Sequence, residues 1–431
     1  MGLGLAALNR LAGLPAIDRL GIRRPAEQAV YHGTKAGFRT AAAVGRSFTR
    51  RRGSGSPRRP EASPASGVFD LNPTADQQMM VDVVREFATD VVRPAAADAD
   101  AATEAPPEVL RQTNDLGVTL VSLPEALGGL GTERSATTGV LVGEAFAHGD
   151  MGLAASCLAP ASVATAISLW GTTTQQQTYL PAFAGDNTPT AALTLAEPRA
   201  LFDPFDLHTR AVRVPGGYRL TGTKSAVVRG AQSELFVVAA DCEDGGPALF
   251  VVESNSPGIT IESEPAMGLR SASLTRLILD DVRVGEDALL GGGGTDAYTE
   301  CVRLSRLAWC SLSLGTAKAV LDYVTPYVKE RKAFGEPVAH RQSVAFMVAD
   351  IAIELEGMRL ATYRAAARAD QGLPHAREVA LARRLCSEYG MRIGTDGVQL
   401  LGGHGFVKEH PVERWYRDLR AIGVMEGGLL V

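Results

Sequence analysis

TAALTLAE at residues 190–197 opens the stretch of sequence that decides the fold, because it begins a series of short segments with the pattern of β-strands. Each segment is rich in β-branched residues and is bounded by Gly, Pro or Asp, as is typical of strands joined by tight turns. Their close spacing predicts an antiparallel sheet or a small barrel. The other segments are GGYRLTGTKSAVV (216–228), ELFVVAAD (234–241), PALFVVES (247–254), GITIES (258–263) and TRLILDDVRV (275–284).

Helical patterns flank this strand-rich stretch on both sides. Thr74 and Gln77 form a capping-box pattern ahead of apolar residues at helical spacing, and Pro94 predicts the end of that first helix. The helical pattern then continues to residue 190. After the glycines at 291–294, the periodicity predicts three long helices at 296–331, 340–371 and 376–401. Helices, then strands, then helices indicate an α+β fold with a β domain between two helical layers.

The first 66 residues differ in charge from the rest of the chain. Residues 1–62 carry twelve Lys and Arg against three acidic residues, a local charge of +9, whereas the whole chain carries −5. The acidic remainder argues against nucleic-acid binding. The end of this basic extension is rich in Arg, Ser, Gly and Pro, which predicts a disordered linker. A membrane-surface or partner-docking arm within residues 1–50, a solvated tail and an organellar transit peptide all stay open as interpretations.

The cysteines indicate the cellular compartment. The five cysteines are scattered, form no CxxC pair and accompany no His or Glu cluster at metal-ligand spacing. This pattern predicts reduced thiols and no metal site. No apolar run predicts a membrane span. We therefore expect a cytoplasmic protein, with peripheral membrane contact as an open alternative.

Five phrases of the sequence resemble the acyl-CoA dehydrogenase family, in the family's order and at its spacing, across about residues 70–428. The resemblance implies three domains after the extension at 1–66: an N-terminal α domain (67–190), a middle antiparallel β-barrel or sandwich (191–290) and a C-terminal four-helix bundle (291–431). Each phrase alone is weak evidence, whereas the ordered set is strong evidence for the fold. The phrases are LPEALGGLG (123–131), LWGTTTQQQTYLP (169–181), MGLRSASLTRLILDDVRV (267–284), RKAFGEP (331–337) and QLLGGHGFVKEHPVERWYRD (399–418).

The resemblance implies an oxidoreductase that removes hydrogen across the Cα–Cβ bond of an acyl-CoA thioester and uses FAD. A carboxylate takes the α-proton, and Glu426 in VMEGG matches the position of that base. The α-proton is weakly acidic, so the base needs a raised pKa, which burial beside an apolar acyl chain supplies. Some family members place the base just before a helix arginine, a position that holds Ser305 here, and this favours Glu426. A surface glutamate near the end of the chain is the alternative interpretation.

The resemblance also implies the residues that hold the nucleotide half of FAD and the substrate. Arg331 matches an arginine on the pyrophosphate, for which a guanidinium is well suited. Arg306 and Gly427 match positions beside the thioester, while Arg303 replaces an acidic residue that contacts the CoA adenine in relatives. The remaining positions that match the nucleotide half are Phe334, Gln342, Gln399, Gly402 and Gly403.

The segments that hold the flavin ring in the family are altered in this chain. Leu195, Glu197 and Pro198 match one of them, but hydroxyl and tryptophan positions have changed. Each lost hydrogen bond costs about 0.5–1.5 kcal/mol, so we expect weakened flavin binding. Phe202 and the neighbouring Leu201 are bulkier than the family's residues, and either partly cover the ring or block the acyl pocket. The four changed positions are Ala196, Phe202, Ala226 and Val228.

These observations leave several functional hypotheses. The first is an FAD-dependent acyl-CoA dehydrogenase that forms a homodimer or homotetramer and passes electrons to an electron-transfer flavoprotein. The second is an accessory subunit that supplies Glu426, or Arg331 and Gln399, to a same-fold partner in a hetero-oligomer. The third is a scaffold or acyl-CoA-binding protein that keeps the fold without flavin, against which Glu426 argues.

Overall fold

The computed structural model describes residues 72–130, 135–185, 187–243, 245–292 and 295–429. The predictions for the basic extension at 1–66 therefore lie outside the described residues. The α+β fold class is confirmed: a helical N-terminal layer and a helical C-terminal layer enclose a curled sheet.

The N-terminal layer begins at the predicted cap. The Thr74 Oγ1 accepts a hydrogen bond from the Gln77 N–H at 3.2 Å, and the Gln77 Oε1 accepts one from the Thr74 N–H at 3.0 Å. Pro94 does not end the helical segment, because the chain continues through a π-helical turn at Ala88–Val92 and Pro94 lies in the first turn of the next helix. The helices are α1 Ala75–Phe87, α2 Arg93–Ala102, α3 Pro107–Asp115, α4 Ala136–Ala147, α5 Met151–Trp170 and α6 Thr173–Phe183.

Helix α5 corrects one expectation from the sequence. With 20 residues and a mean hydropathy of 1.6, it is long and apolar enough to cross a membrane, contrary to the prediction that no run reaches that length. However, 67% of its most apolar window is buried inside the protein. Burial by neighbouring elements accounts for its composition, as in the core helices of water-soluble proteins.

The middle domain is one seven-stranded sheet in the order β1-β4-β2-β3-β7-β6, with β5 paired to β4. The predicted antiparallel pairing holds for β2–β3, β3–β7, β6–β7 and β4–β5, but β1 and β2 run parallel to β4. A parallel pair needs a long connection, and the β2–β3 hairpin supplies it between β1 and β4. The strands are β1 Ala191–Thr194, β2 Arg210–Val214, β3 Gly217–Val227, β4 Leu235–Cys242, β5 Gly246–Glu253, β6 Ile259–Ser263 and β7 Thr275–Gly285.

The C-terminal layer contains the three predicted long helices, within about two residues of the predicted bounds. A short hairpin follows the first of them, and a short helix and a tight turn at Leu419–Gly423 follow the third. Helix α4 of the N-terminal layer also packs against two of the long helices. The elements are α7 Thr295–Glu330, β8 Lys332–Ala333, β9 Glu336–Pro337, α8 Gln342–Asp370, α9 Ala376–Leu401 and α10 Val412–Asp418.

Small residues let α4 and α7 approach closely. A Cβ atom added to Gly315 of α7 would lie 2.1 Å from the Glu144 carbonyl oxygen of α4, and one added to Gly143 would lie 2.2 Å from the Ser311 Oγ. Glycine removes this steric barrier. The close contact holds the face of α7 that carries Ser311 and Gly315 against α4.

Candidate active site

Glu426 lies in a tight turn after α10, with its side chain buried. Its backbone has a left-handed φ of 57° and the residue is 6% exposed, so the interpretation as a surface glutamate is wrong. Gly427 has a φ of 105°, and a Cβ atom there would lie 2.7 Å from the Pro204 Cδ. The Gly428 N–H donates to the Phe202 carbonyl oxygen at 2.8 Å. The turn is therefore fixed against the loop that follows β1.

Two arginines, the half-buried Arg306 and the buried Arg383, bind the carbonyl oxygens of this turn. The Arg306 Nε and Nη2 donate to the Glu426 carbonyl oxygen at 3.1 and 3.0 Å. The Arg383 guanidinium donates to the carbonyl oxygen of Met425 at 2.8 Å and also to that of Gly427. Burial, together with the charge of Arg306, lowers the pKa of Arg383 to about 10. The structure thus shows Arg306 as an anchor of the turn, and its predicted contact with the substrate stays a prediction. Arg383 is a site residue that the sequence did not indicate.

The two oxygens of the Glu426 carboxylate have different surroundings. Oε1 accepts hydrogen bonds from the Ser305 Oγ at 2.8 Å and the Trp309 Nε1 at 3.2 Å. Oε2 is buried and has no hydrogen-bond partner among the described residues. Burial raises the pKa of Glu426, against the opposing effect of its two hydrogen bonds and of Arg383 and Arg306. The raised pKa is the property that the predicted base requires.

A cavity of about 130 Å³ contains this carboxylate. Three helices, α4, α5 and α7, form part of its walls. The ends of strands β1 and β3, together with the residues that follow each strand, form another part. Three of the predicted ring-pocket changes, Ala196, Ala226 and Val228, line it together with Leu195. The structure therefore brings the predicted base and three of the four altered flavin-ring positions into one site.

Two other predicted cofactor residues lie outside this cavity. The Glu197 carboxylate forms a buried ion pair with the Lys224 Nζ at 3.0 Å and accepts the N–H of His208 at 2.8 Å and of Thr209 at 2.9 Å. Burial, opposed by Glu197, lowers the pKa of Lys224 to about 8. Because these partners bind both oxygens of the carboxylate, the Glu197 side chain stabilises the loop that contains His208 and Thr209. Pro198 is exposed.

The bulky residues of the following loop do not enter the cavity. Phe202 is 5% exposed and packs in the core beside Leu207 and Tyr298, whereas Leu201 is 67% exposed. The Tyr298 hydroxyl donates to the Pro204 carbonyl oxygen. Neither Phe202 nor Leu201 is among the residues that line the cavity.

A second cleft, of about 500 Å³, lies among the C-terminal helices. Arg331, Gln399, Gly402 and Gly403 line it, as expected for a shared nucleotide site. Cβ atoms added to Gly402 or Gly403 would meet no atom within 4 Å. Open backbone beside a guanidinium suits a pyrophosphate, so these residues fit the nucleotide half of FAD.

Phe334 and Gln342 are not among the lining residues of that cleft. Phe334 is 95% exposed on the β8–β9 turn, with the Arg341 guanidinium 5.1 Å from its ring centre. Gln342 is the exposed first residue of α8, next to the lining residue Ser343. The described chain therefore gathers four of the six predicted nucleotide contacts.

Comparisons with known proteins agree with this architecture. Family models match in chain order: acyl-CoA dehydrogenase N-terminal domain at residues 74–186, middle domain at 192–282 and C-terminal domain at 292–428. An acyl-CoA dehydrogenase of Bacillus subtilis is 31% identical over 366 residues, 83% of this chain and 96% of that protein.

Two solved structures are similar over most of the chain. Butyryl-CoA dehydrogenase from Megasphaera elsdenii has a TM-score of 0.78 and 29% identity, covering 84% of this chain and 97% of that one. A chain in the structure of the electron transferring flavoprotein of Acidaminococcus fermentans has a TM-score of 0.78 and 30% identity, with the same coverage.

Proposed function

This chain belongs to the acyl-CoA dehydrogenase family, whose members bind FAD, and we propose that it oxidises an acyl-CoA to the 2-enoyl-CoA with Glu426 as the base. The observation that carries the proposal is the buried Glu426 carboxylate, which shares a cavity with Leu195 and Ala196 and whose Oε2 has no hydrogen-bond partner in the part of the chain that the structure describes. A buried, unpaired acceptor is costly unless the site uses it. A general base uses an unpaired carboxylate oxygen in this way, to accept the proton.

In this mechanism the chain supplies the proton acceptor and its environment. The cavity excludes water from Glu426, which keeps its basicity high. Glu426 takes the α-proton as the Cα–H bond breaks and the Cα–Cβ double bond forms. A bound FAD would supply the acceptor for the β-hydrogen, which leaves as hydride. Arg306 and Arg383 hold the backbone of the turn, so that the carboxylate keeps its position during proton transfer.

The nucleotide half of FAD is assigned to the second cleft. Arg331 would pair with the pyrophosphate, and Gln399, Gly402 and Gly403 would lie against the adenosine part. Gln342 and Phe334, which do not line this cleft, stay predictions as further contacts. We also propose an electron-transfer flavoprotein as acceptor, because a chain of similar fold and 30% identity occurs in the structure of such a protein.

Association of subunits is part of the proposal. Helix α8 exposes Phe346, Ile353 and Leu360 at intervals of seven residues, with exposed fractions of 58%, 69% and 39%. Such a row along one helix face favours packing against another chain. A homodimer or homotetramer is the simplest assembly, and mass photometry of the purified protein measures it.

The alternative function is that of an accessory subunit in a hetero-oligomer of the same fold. One contrast favours it: the second cleft keeps four matched contacts, while the cavity at Glu426 is about 130 Å³ and has lost the matched hydroxyls. Ligand pockets usually have volumes of roughly 300–1,000 Å³. In this alternative the chain contributes Arg331 and Gln399 to a partner's flavin.

The visible spectrum of the purified protein tests the proposal. Flavin absorbance that is bleached by one of a series of acyl-CoA thioesters supports the enzyme. A protein that stays colourless with excess FAD and turns over no acyl-CoA contradicts it. If a co-purified partner carries the flavin, loss of turnover in Glu426→Gln assigns the base to this chain, and retained turnover assigns it to the partner.

A further inference from the structure

We infer that Ser305 and Trp309 are a positioning pair for Glu426, which together hold its Oε1 and leave Oε2 as the atom that takes the proton. The inference rests on the proposed function and deepens it. Ser305 occupies the position at which some family members carry the base, whereas Trp309 matches none of the predicted site positions. Only the folded chain brings Trp309 to Glu426.

The geometry of α7 carries the first step. Ser305 and Trp309 are four residues apart, so they lie on the same face of the helix, one turn from each other. Both donate to one oxygen, at 2.8 and 3.2 Å. The indole N–H is a donor only, so the direction of the Trp309 hydrogen bond is fixed. Trp309 is 9% exposed, and its packing limits its own motion.

The second step concerns the other oxygen. Oε2 is buried, and no residue that the structure describes donates a hydrogen bond to it. The Arg306 hydrogen bonds to the Glu426 carbonyl oxygen fix the backbone from which the side chain extends. Since Oε1 accepts from two donors, Oε2 is the carboxylate oxygen that has no hydrogen-bond donor among the described residues.

The third step is electrostatic. A donor to the charged form of a carboxylate lowers its pKa, whereas burial raises it. Ser305 and Trp309 therefore lower the pKa of Glu426 against the effect of burial, and they also fix the position of its carboxylate. The titratable and charged groups around Glu426 are Arg306 and Tyr298 on α7, Arg383 on α9 and Lys224 on β3. All are present in each variant below, so their effects are common to the series.

Fluorine NMR of the full chain labelled with 5-fluorotryptophan tests the pair directly. The chain has three tryptophans, at 170, 309 and 415, and Trp309→Phe identifies the resonance of Trp309. We expect that resonance to titrate with a midpoint above 4.5, the ordinary pKa of glutamate, and to lose its titration in Glu426→Gln. Ser305→Ala should raise the midpoint by about one pH unit, because a hydrogen bond to a charged group is lost.

A matched control separates this effect from a general change in α7. Ser313→Ala deletes a buried hydroxyl from the same helix, where its neighbour is Gly390 rather than Glu426. It should leave the midpoint unchanged. A Trp309 resonance that stays flat across the pH range, or a midpoint that Ser305→Ala does not move, overturns the inference.

Kinetics give a second readout that a merely structural role would not move. In Trp309→Phe the acid limb of kcat/KM should shift to higher pH, because the base requires deprotonation and its pKa rises. We expect kcat to fall by on the order of 10- to 100-fold with little change in KM, since a displacement of about 1 Å costs up to roughly 10²-fold. An unshifted acid limb contradicts the pair. If no acyl-CoA is oxidised but the Trp309 resonance titrates, the proposed function fails while the pair stands.

Discussion

The cleft beside Arg331 and the cavity around Glu426 differ in volume, in the elements that line them and in the kind of group that each one suits. The cleft has about 500 Å³, and its lining comes from one end of the C-terminal helices. The cavity has about 130 Å³, and its lining comes from α4, α5, α7, two strand ends and the final turn. A phosphate group is bound by charge and backbone even when partly solvated, whereas a carboxylate base needs desolvation. A carboxylate is desolvated only when several secondary-structure elements surround it.

The comparison predicts that a substitution in one region impairs the function of that region and leaves the function of the other region unchanged. Glu426→Gln should lower kcat/KM by at least about 10²- to 10⁴-fold, the usual contribution of a general base. Its FAD affinity should stay at the wild-type value, because the site proposed for the nucleotide half is the other cleft. Steady-state kinetics and flavin titration measure both quantities. The exposed Glu409→Gln is the control, and a Glu426→Gln enzyme that keeps wild-type turnover rules out the assigned base.

Arg383→Met tests whether the turn depends on its buried arginine. The change leaves the carbonyl oxygens of Met425 and Gly427 without their donor, so we expect the free energy of unfolding to fall by about 2–4 kcal/mol. Urea denaturation measures this. The neighbouring Arg384, whose side chain is 73% exposed, provides the control Arg384→Met. Equal stability of the two variants would show that the turn does not need these hydrogen bonds.

Arg331→Gln should affect only the cleft. Loss of one charge-assisted contact should weaken FAD binding by roughly 10- to 100-fold, with the turnover of the FAD-saturated enzyme unchanged. Fluorescence titration of the apoprotein with FAD gives the affinity. Lys332→Gln, at the next residue, removes a charge that is also exposed and should have a smaller effect. If both variants weaken binding equally, the contribution of Arg331 is general electrostatics.

Restoring a hydroxyl to the cavity should increase the contribution of the cavity to FAD affinity and so reduce the difference between the two regions. Ala196→Thr adds one donor where the family pattern has threonine, and should tighten FAD binding by roughly 2- to 10-fold. Ala196→Val has the same shape without the hydroxyl and separates the hydrogen bond from packing. No difference between the Thr and Val variants would mean that position 196 does not contact the flavin.

Local sequence signals predicted the elements well where the cause is local. The cap at Thr74 and the periodicity of α8 and α9 gave bounds close to the observed ones, because helix starts and apolar stripes depend on neighbours within a few residues. The pairing of β1 with β4 was missed, because the partners lie about 40 residues apart. The predicted domain boundaries at 190 and 290 stay predictions.

The candidate site divides in the same way. Arg331, Gln399, Gly402 and Gly403 fall within two short phrases of sequence, and the fold brings those phrases together at one cleft. Trp309 lies 117 residues from the glutamate that it contacts, and Arg383 lies 42 residues from Met425. One signal for Arg383 was available: it occupies the apolar stripe of α9 between Val379 and Cys386, where an unpaired charge is not tolerated.

By itself, the sequence determined the order of helical and strand-rich segments, the resemblance to a family and the glutamate at 426. The tertiary structure alone decided that this glutamate is buried, that Arg306 and Arg383 bind its turn, and that Ser305 and Trp309 bind one of its two oxygens. The physical reason is that a residue type and its helical face follow from local sequence, whereas desolvation and hydrogen-bond partners depend on segments that only folding brings into contact.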